Sequence, residues 1–556
     1  MKTNQSFNLI NVALGHTAIE NNILQHPVLG KIITCMPEVP FEDIKKEEMY
    51  LHNDENRLKA FKNNKEVEEE PKVSMNEKYV YINRVLTKIA ETIGSGIILM
   101  DGFIYYYNGC VWAQMSEQVA SNFISLIAAK AGLYYSLVSN YKIKQTMYQQ
   151  LNSDIPKPEE DVNVTNSNIM AMANMKNGTL KVDKEGRVRL DNFSKDDYIR
   201  YQLGYEYNPD ATCEMFDNFL DEVLPEKAAQ NVLMEMIGYC FIPTQKLKLE
   251  RSLMLYGPGA NGKGVIFDIV VAILGENHVS GFSMESLSND PNARAQLKDV
   301  LLNYSTELGG KCKPDMIKKL ISGEPVDVKT LYKDKTMMKD YSCKFIFNTN
   351  SLPRGAENTH AFFRRWLILP FDVEIPKEKR DVNLSKKLKT ELPGIFNRVL
   401  KGIIRLINNE DFTDSQLVRN MIEEYKEQTN SVLRFIKDEG WVPSVDKNST
   451  ERVDSSIQHQ CRKYFYAAYL NYCKATNCTP TSNKDFGRKI QEFFCVQKCR
   501  TKNETWVFAK KEGIPIPEID LFRMSSERSE NSDSIINQAL NDLNKENDEN
   551  SDGQSL

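Results

Sequence analysis

The sequence predicts an α/β core built on a parallel β-sheet, and three observations support this prediction. A short apolar run, Ser252–Tyr256, ends abruptly in a glycine-rich loop, and a helical pattern begins at Val265 after that loop. Two further apolar runs, residues 300–302 and 344–347, have the length of buried central strands. Because strands that alternate with helices form parallel sheets, we expect these runs to share one sheet.

Composition excludes several classes of protein. The chain has 556 residues, enough for about three or four domains, and 41% of them are apolar. No run approaches the ~20 apolar residues that span a membrane, and the first residues lack a signal-peptide pattern. Eleven cysteines without dense pairing fit a reducing compartment. We therefore expect a soluble, intracellular, multidomain protein.

Charge is unevenly distributed along the chain. Segment 525–556 carries eight acidic and two basic residues, which accounts for the net charge of −5. Segment 456–511 carries eleven Lys and Arg against three acidic residues, and segment 311–344 carries nine Lys against five acidic residues. Localised positive charge favours a polyanionic partner, so the acidic overall composition does not argue against nucleic-acid binding.

The other elements follow from periodicity. A helical pattern begins near Tyr79, segment 96–114 alternates as a β-hairpin does, and segment 216–239 predicts two helices separated at Pro225. Residues 386–436 are predicted to be mostly helical. The predicted domains are a variable segment with a charged linker (1–78), a mainly helical domain (79–247), the α/β core (248–385), a helical segment (386–440), a basic domain (456–511) and an acidic, disordered tail (512–556).

The strongest functional signal is the loop after the first strand, which has the G-x-x-x-x-G-K spacing of a phosphate-binding loop. Its backbone N–H groups and the following helix N-terminus can bind a phosphate, and Lys263 adds a full positive charge. Gly264 stands where a Ser or Thr hydroxyl usually ligates Mg²⁺. An ordinary glycine-rich turn is the alternative. The predicted nucleotide-binding residues are Gly257, Pro258, Gly259, Ala260, Asn261, Gly262, Lys263 and Gly264.

Polar residues follow the second and third predicted strands. Glu307 is predicted to orient an attacking water and to share Mg²⁺ through water, although a surface glutamate would fit the same pattern. Asn348 and Asn350 could bind the γ-phosphate or the attacking water, whereas an Asx-turn before Pro353 is the alternative. ATP and Mg²⁺ are thus the predicted ligands.

Arg364 and Arg365 lie between aromatic residues and an apolar run. An arginine presented to the γ-phosphate of a neighbouring subunit would stabilise the charge of the transition state. An ion pair with a carboxylate of the same chain is the alternative.

Segment 322–341, between the second and third strands, predicts a hairpin with lysines near its turn. Such a hairpin could hold DNA phosphates in a central channel, although lysines are also common on solvated hairpins. The residues concerned are Lys329, Lys333 and Lys335.

Together these motifs resemble the superfamily 3 helicases of the phage and plasmid primase–helicase (poxvirus primase-like) type. The resemblance covers about residues 248–375, with GPGANGKG, STEL, ISGEPVDVKTLY, IFNTNSLPR and FFRRWLILPF in one order. It implies a P-loop AAA+ motor that forms a hexameric ring, hydrolyses ATP and moves 3′→5′ along single-stranded DNA. It matches Asn350, rather than Asn348, to the family's sensor asparagine, and the two arginines to its paired arginines. Segment 79–247 is similar to the helical domain that precedes such motors.

The basic C-terminal segment resembles the winged-helix module that follows these motors. Thr481 or Ser482 can cap a helix over residues 483–494. The basic residues predicted to contact DNA phosphates are Lys484, Arg488 and Lys489. Four cysteines in this segment have a spacing that suggests zinc, but the helix between them favours buried or half-buried thiols. These are Cys473, Cys478, Cys495 and Cys499.

The sequence therefore predicts an ATP-dependent, ring-forming replicative DNA helicase of a phage, plasmid or integrated element, in the bacterial or host cytoplasm. Its predicted partners are single-stranded and origin DNA, other copies of the chain, and replication proteins bound through the acidic tail. A bifunctional primase–helicase is one alternative, although residues 1–78 show no acidic metal site for primer synthesis. The other is an ATP-switched replication initiator with little unwinding, which Gly264 and the single acid Glu307 favour.

Overall fold

The structure is a computed structural model that describes residues 16–51, 71–100, 102–158, 167–306, 313–329, 335–339, 341–350, 360–449, 453, 456–476, 478, 480–499 and 504–511. The chain divides into two compact units. The first comprises Met1–Asn350 and Leu367–Val418, and the second comprises Ser351–Trp366 and Arg419–Leu556. None of the described helices is both long enough and apolar enough to cross a membrane.

The first unit begins with a bundle of helices around one apolar core. Its members are α1 (Ala18–Gln25), α2 (Leu29–Cys35), α3 (Phe41–Leu51), α4 (Met75–Thr92), α5 (Glu117–Lys130), α6 (Tyr135–Val138) and α7 (Tyr141–Asp154). Thr17 and Ser74 each form a capping box, at the start of α1 and of α4. Buried side chains from all of these helices form a single cluster. The predicted boundary at residue 78 therefore falls inside α4, and the helices before it share the core of the domain that follows.

Two small antiparallel sheets accompany these helices. The first, β1 (Ile97–Met100), β2 (Phe103–Tyr107) and β3 (Trp112–Gln114), confirms the predicted hairpin. The second contains β4 (Ile169–Met175), β5 (Gly178–Asp183) and β6 (Val188–Asp191). The two predicted helices around Pro225 are α8 (Glu214–Val223) and α9 (Lys227–Tyr239). The segment before the α/β core thus contains two sheets beside its helices.

A five-stranded sheet forms the α/β core. Its order is β13–β7–β12–β9–β8, and the β7–β12, β12–β9 and β9–β8 pairs are parallel. The strands are β7 (Ser252–Tyr256), β8 (Val279–Ser280), β9 (Leu302–Ser305), β12 (Lys344–Thr349) and β13 (Trp366–Pro370). This confirms the predicted parallel sheet, although β9 begins two residues later than the apolar run at residue 300.

Helices follow or precede these strands along the chain. They are α10 (Lys263–Leu274), α11 (Met284–Asn289), α12 (Pro291–Ala295), α13 (Pro314–Ile321), α14 (His360–Phe363), α15 (Leu384–Leu388) and α16 (Leu392–Asn409). The strand β7 lies between β12 and β13, whereas the next strand in the chain, β8, lies at the far edge. In open α/β sheets, ligands bind beyond the carboxyl ends of strands where the order changes in this way. The loop after β7 is therefore a candidate ligand-binding position.

A short hairpin branches from the core between β9 and β12. Its strands, β10 (Val326–Val328) and β11 (Thr336–Met338), pair antiparallel with Asp327 opposite Met337. The predicted hairpin is confirmed.

The second unit contains the C-terminal elements, after the helix α17 (Gln416–Thr429) that begins in the first unit. They are α18 (Ser431–Asp438), β14 (Trp441–Pro443), β15 (Gln460–Cys461), α19 (Arg462–Thr476), α20 (Asn483–Ile490), β16 (Val496–Lys498), β17 (Thr505–Val507) and β18 (Ala509–Lys511). Side chains of α18 to α20 share one apolar cluster, and β14 pairs with β18. This domain therefore starts before the predicted residue 456, and α20 ends four residues before the predicted residue 494.

Candidate functional site

The loop between β7 and α10 has a backbone path that side chains would obstruct. A Cβ atom on Gly257 would lie 2.3 Å from the carbonyl oxygen of Phe371, which is too close for any contact with backbone. Gly262 has φ +88°, and Ala260 also adopts a left-handed conformation with φ +63°. Left-handed backbone at a residue other than glycine costs free energy and is concentrated at functional sites. The loop is thus a tightly constrained segment at the carboxyl end of β7.

The ammonium group of Lys263 is buried inside this loop. Its Nζ donates hydrogen bonds to the carbonyl oxygens of Gly257 (2.7 Å) and Pro258 (2.8 Å) and to Oδ1 of Asn261 (2.9 Å). These three acceptors match the three N–H donors of the ammonium group. Only 7% of Lys263 is exposed, and this burial lowers the pKa of its ammonium group. A positive charge is therefore held at the start of α10, where the helix dipole favours anions.

A cavity of 340 Å³ adjoins the loop, a size typical of small-molecule sites, which hold about 300–1,000 Å³. One side is formed by residues 260–265 of the loop and α10. The other side includes apolar side chains, among them Phe219, Ile375 and Leu384, together with Arg380. The Ile375 N–H donates to the Ala260 carbonyl (3.0 Å), so segment 375–384 lies directly against the loop. No local pattern indicates this wall, because Phe219 comes well before the loop in the chain and segment 375–384 comes more than a hundred residues after it.

The two predicted amides of β12 occupy different environments. Asn348 is buried, and its Oδ1 accepts a hydrogen bond from the Tyr304 hydroxyl (3.0 Å). Asn350 directly follows the strand and is exposed. The Gly257 N–H donates to the carbonyl of Thr349 (3.2 Å), which places the end of β12 beside the start of the loop. Of the two amides, Asn350 is therefore the one that lies beyond the carboxyl end of the strand and is open to solvent. The predicted acid Glu307 lies outside the described residues.

Arg364 and Arg365 directly precede β13 and belong to the second unit. Arg364 is exposed, whereas Arg365 is only 7% exposed. Phe363, their neighbour in the chain, packs edge-to-face on Tyr425 with 5.4 Å between ring centres. The arginines thus follow an aromatic anchor, and only one of them faces solvent.

The lysine hairpin is fixed to the core by a buried arginine that sequence analysis missed. The Arg294 side chain is 3% exposed, and its guanidinium contacts the Asp327 carboxylate at 2.7 Å. Its Nε also donates to the Asp327 carbonyl at 2.8 Å, and Nη1 donates to the Leu287 carbonyl at 3.1 Å. Lys329 and Lys335 are exposed on the hairpin, and Lys333 lies outside the described residues. No local pattern links Arg294 to Asp327, since they are 33 residues apart.

The N-cap of the basic helix α20 is Ser482, whose hydroxyl accepts a hydrogen bond from the Asp485 N–H (3.2 Å). Of the predicted basic residues, Lys484 and Arg488 are exposed, and burial lowers the pKa of the half-buried Lys489. Arg488 forms an ion pair with Asp485 at 2.6 Å. These side chains present a partly neutralised positive surface.

A further arginine lies against this helix. Nη2 of Arg462 donates to the Asn483 carbonyl (2.8 Å), and a Cβ atom on Gly487 would lie 2.2 Å from the same nitrogen. Gly487 therefore allows the guanidinium to lie on the helix. No local pattern predicts this contact, since the two residues come from different helices.

The four C-terminal cysteines differ in exposure. Cys473 and Cys495 are buried, whereas Cys478 and Cys499 are half-buried. Within the described part of the chain, no three His, Cys, Asp or Glu side chains form a group that could hold a metal ion.

Two family models match parts of this chain. Residues 87–225 match the model described as D5 N terminal like, and residues 255–365 match a family of unknown function, DUF5906. The second match begins in β7 and includes the phosphate-loop motif, the hairpin and both arginines. Such matches are typical of primase–helicase-like proteins of phages and plasmids, and over these segments the chain is similar to them.

The chain also aligns with solved structures of the NrS-1 C terminal region. The apo structure of the NrS-1 C terminal region aligns with 78% of this chain and 99% of its own, with 12% identical residues and a TM-score of 0.42. The A form apo structure of that region aligns over the same shares, with 13% identity and a TM-score of 0.40. At these values no residue role is transferred from either structure.

Proposed function

We propose that this chain is a P-loop AAA+ motor of the superfamily 3 type. It would be an ATP-hydrolysing DNA helicase that unwinds DNA during replication of a phage, plasmid or integrated element. The observation that carries the proposal is the constrained loop around the Lys263 ammonium group. It lies at the carboxyl end of a parallel strand and beside a 340 Å³ cavity. A phosphate chain needs these elements together: backbone N–H groups, a helix N-terminus and a positive charge.

In this proposal ATP binds with its phosphates in the loop and its base in the cavity. The Lys263 ammonium leaves the neutral carbonyls of Gly257 and Pro258 and binds the β- and γ-phosphate oxygens. The exchange is favourable because a phosphate oxygen carries a negative charge, so the ammonium group gains a Coulomb attraction that a neutral carbonyl does not offer. The apolar wall of Phe219, Ile375 and Leu384 then covers one face of the base.

Magnesium, when bound, would supply positive charge that neutralises part of the negative charge of the phosphates. Gly264 offers no hydroxyl, so its protein ligand would be Glu307, through water. Glu307 and Asn350 would orient the attacking water and contact the γ-phosphate. Arg364 or Arg365 would reach the γ-phosphate of a neighbouring subunit, which requires assembly into a ring, proposed here as a hexamer.

DNA is proposed to contact two regions of the chain. The hairpin would carry Lys329, Lys333 and Lys335 into the ring channel and pull a single strand 3′→5′. The C-terminal domain, proposed as a winged helix, would contact origin DNA phosphates through Lys484, Arg488 and Lys489. The acidic tail would bind replication proteins.

A forked-duplex unwinding assay tests this function. We expect strand separation with ATP, faster from a 3′ than from a 5′ single-stranded tail, and none with a non-hydrolysable analogue. Lys263→Ala should abolish unwinding, whereas the exposed control Lys401→Ala should not. ATP-dependent origin binding without strand separation would instead support a replication initiator, the candidate that Gly264 favours. Labelled primers formed on a single-stranded template would support the bifunctional primase–helicase.

A further inference from the structure

Two tyrosines at the end of the N-terminal helices are unusually exposed. Tyr134 is 83% exposed and Tyr141 is 78% exposed, the highest values among the aromatic side chains of the described residues. Leu137, between them, is 37% exposed. Scattered apolar residues are normal on a surface, but two aromatic rings this bare within eight residues are an unpartnered patch.

The backbone holds both tyrosines outward in a defined arrangement. Tyr134 occupies the N-cap of α6, and Tyr141 is the first residue of α7, whose N-cap Asn140 accepts the Lys142 N–H at 3.0 Å. Val138 is fully buried, and its carbonyl accepts a hydrogen bond from the Ser125 hydroxyl (2.8 Å). These contacts fix the connection between the two helices to the core.

The adjacent Tyr135 shows the contrast. Its hydroxyl donates a hydrogen bond to the fully buried Glu20 carboxylate at 2.8 Å, so this side chain is bound to the core of the domain. Tyr134 and Tyr141 have no comparable contact among the described residues. Their exposure therefore follows from the direction in which the backbone points them, not from a loosely packed segment.

The stretch of sequence that contains the patch is positively charged. Segment 118–153 contains three lysines and no acidic residue. Lys144 pairs with Glu20 at 3.2 Å, but Lys130 and Lys142 are exposed and make no ion pair with another described residue. Of the acidic side chains nearby, Glu117 accepts a hydrogen bond from Gln145 (3.1 Å), and the Glu38 side chain lies against Gly132.

We propose that Tyr134, Tyr141, Lys130 and Lys142, named here the tyrosine surface, bind a single strand of DNA. Proteins bind single strands by stacking bases on exposed aromatic rings beside basic groups that contact the phosphates. Every base has a flat face, so this binding does not depend on sequence. The strand is the substrate of the proposed helicase, and to that extent the inference rests on the proposed function. Binding at this surface itself needs neither ATP nor hydrolysis.

Binding of a fluorescent oligothymidylate to the full chain without nucleotide tests the inference. The double variant Tyr134→Ala with Tyr141→Ala should weaken binding about fivefold for each ring removed. This is the low end of the loss in affinity that is typical when an aromatic ring that stacks on a base is replaced by alanine. Tyr134→Phe with Tyr141→Phe should retain affinity, because phenylalanine also stacks. Lys142→Gln should reduce the slope of log affinity against log salt by about 0.7, whereas the alanine pair should leave that slope unchanged. Leu190→Ala, at another exposed apolar residue, is the matched control.

Photo-crosslinking gives a direct second measurement. An oligonucleotide with iododeoxyuridine should crosslink to Tyr134 or Tyr141, as mapped by mass spectrometry. Unchanged affinity of the alanine pair without a crosslink would overturn the inference. An equal loss of DNA affinity in the phenylalanine pair and the alanine pair would also overturn it. So would an altered sedimentation coefficient of the alanine pair with unchanged DNA affinity, because that result would mark an interface between copies of the chain. Because no nucleotide is present, a failure of ATP hydrolysis leaves this result interpretable by itself.

Discussion

Asn261 holds the Lys263 ammonium group and the end of β13 at the same time. Its Oδ1 accepts a hydrogen bond from Lys263 Nζ at 2.9 Å, and its Nδ2 donates to the Phe371 carbonyl at 2.6 Å. Both side chains are buried, at 2% and 7% exposure. The residue that would bind phosphate is therefore tied to the strand that follows the two arginines.

This link predicts the effect of changing the amide. Asn261→Ala leaves a buried carbonyl and one ammonium N–H without their partner, so the free energy of unfolding should fall by about 1–3 kcal/mol. Asn261→Asp keeps an acceptor for Lys263 but adds a negative charge beside the phosphates. We expect the aspartate variant to bind ATP more weakly than the alanine variant. Calorimetric ATP titration and chemical denaturation measure the two effects, and equal ATP affinity in both variants would contradict this placement.

If the apolar wall of the cavity contacts the base, a change in this wall should weaken the binding of ATP but not the binding of a ligand that has only phosphates. Leu384→Asn should weaken ATP binding, because it places a polar amide against the base, and should leave binding of inorganic tripolyphosphate unchanged. Lys263→Ala should weaken both ligands. Thermal-shift titrations with each ligand make the comparison. Equal weakening of both ligands by Leu384→Asn would show that segment 375–384 does not face the base.

The Arg294 contact with Asp327 predicts a defect confined to the hairpin. Arg294→Lys loses about two hydrogen bonds and should cost about 2 kcal/mol of stability. With the hairpin loosened, we expect basal ATP hydrolysis to persist while stimulation by single-stranded DNA and unwinding are lost. Lys335→Ala should give the same uncoupling without the loss of stability. Normal DNA stimulation in Arg294→Lys would mean that the hairpin does not transmit force.

The buried Lys344 predicts how stability depends on pH. Burial lowers the pKa of Lys344 from 10.5 to about 8, and its Nζ donates to the Thr244 hydroxyl at 2.8 Å. The folded chain therefore releases this proton near pH 8, whereas the unfolded chain keeps it until about pH 10.5. Below pH 8 the chain must bury a charged ammonium group, and this lowers the free energy of unfolding. The penalty disappears as the pH rises from about 8 to 10.5, so stability increases across that window.

Lys344→Met removes this titration. The stability of the variant relative to the wild type should be greater at pH 7 than at pH 10.5 by about 3 kcal/mol, since each pKa unit corresponds to about 1.4 kcal/mol. Near pH 10.5 the difference that remains should be the pH-independent effect of losing the Thr244 contact. Urea denaturation of both proteins at several pH values isolates this residue from the other titrating groups. A stability difference that does not change with pH would contradict the prediction.

Local spacing made the core predictable. The phosphate-loop motif, β7 and the hairpin are each specified by consecutive residues, and their predicted positions agree with the structure. Contacts between distant residues were not predictable, because one sequence carries no record of which side chains meet. Arg294 on Asp327, Arg462 on Gly487 and Ile375 on Ala260 are of this kind.

The helices before residue 52 were missed for a different reason. They are short, and a charged segment follows them, so their apolar residues did not stand out as one pattern. The capping box of Thr17 and Glu20 is a local signal that could have revealed the first of them.

ATP hydrolysis with and without single-stranded DNA tests the central claim most directly. The wild type and Lys401→Ala should hydrolyse ATP faster when DNA is added, and Lys263→Ala should show no hydrolysis in either condition while remaining folded. Hydrolysis that persists in Lys263→Ala, or a wild type that neither binds nor hydrolyses ATP, would contradict the claim that this loop holds the triphosphate.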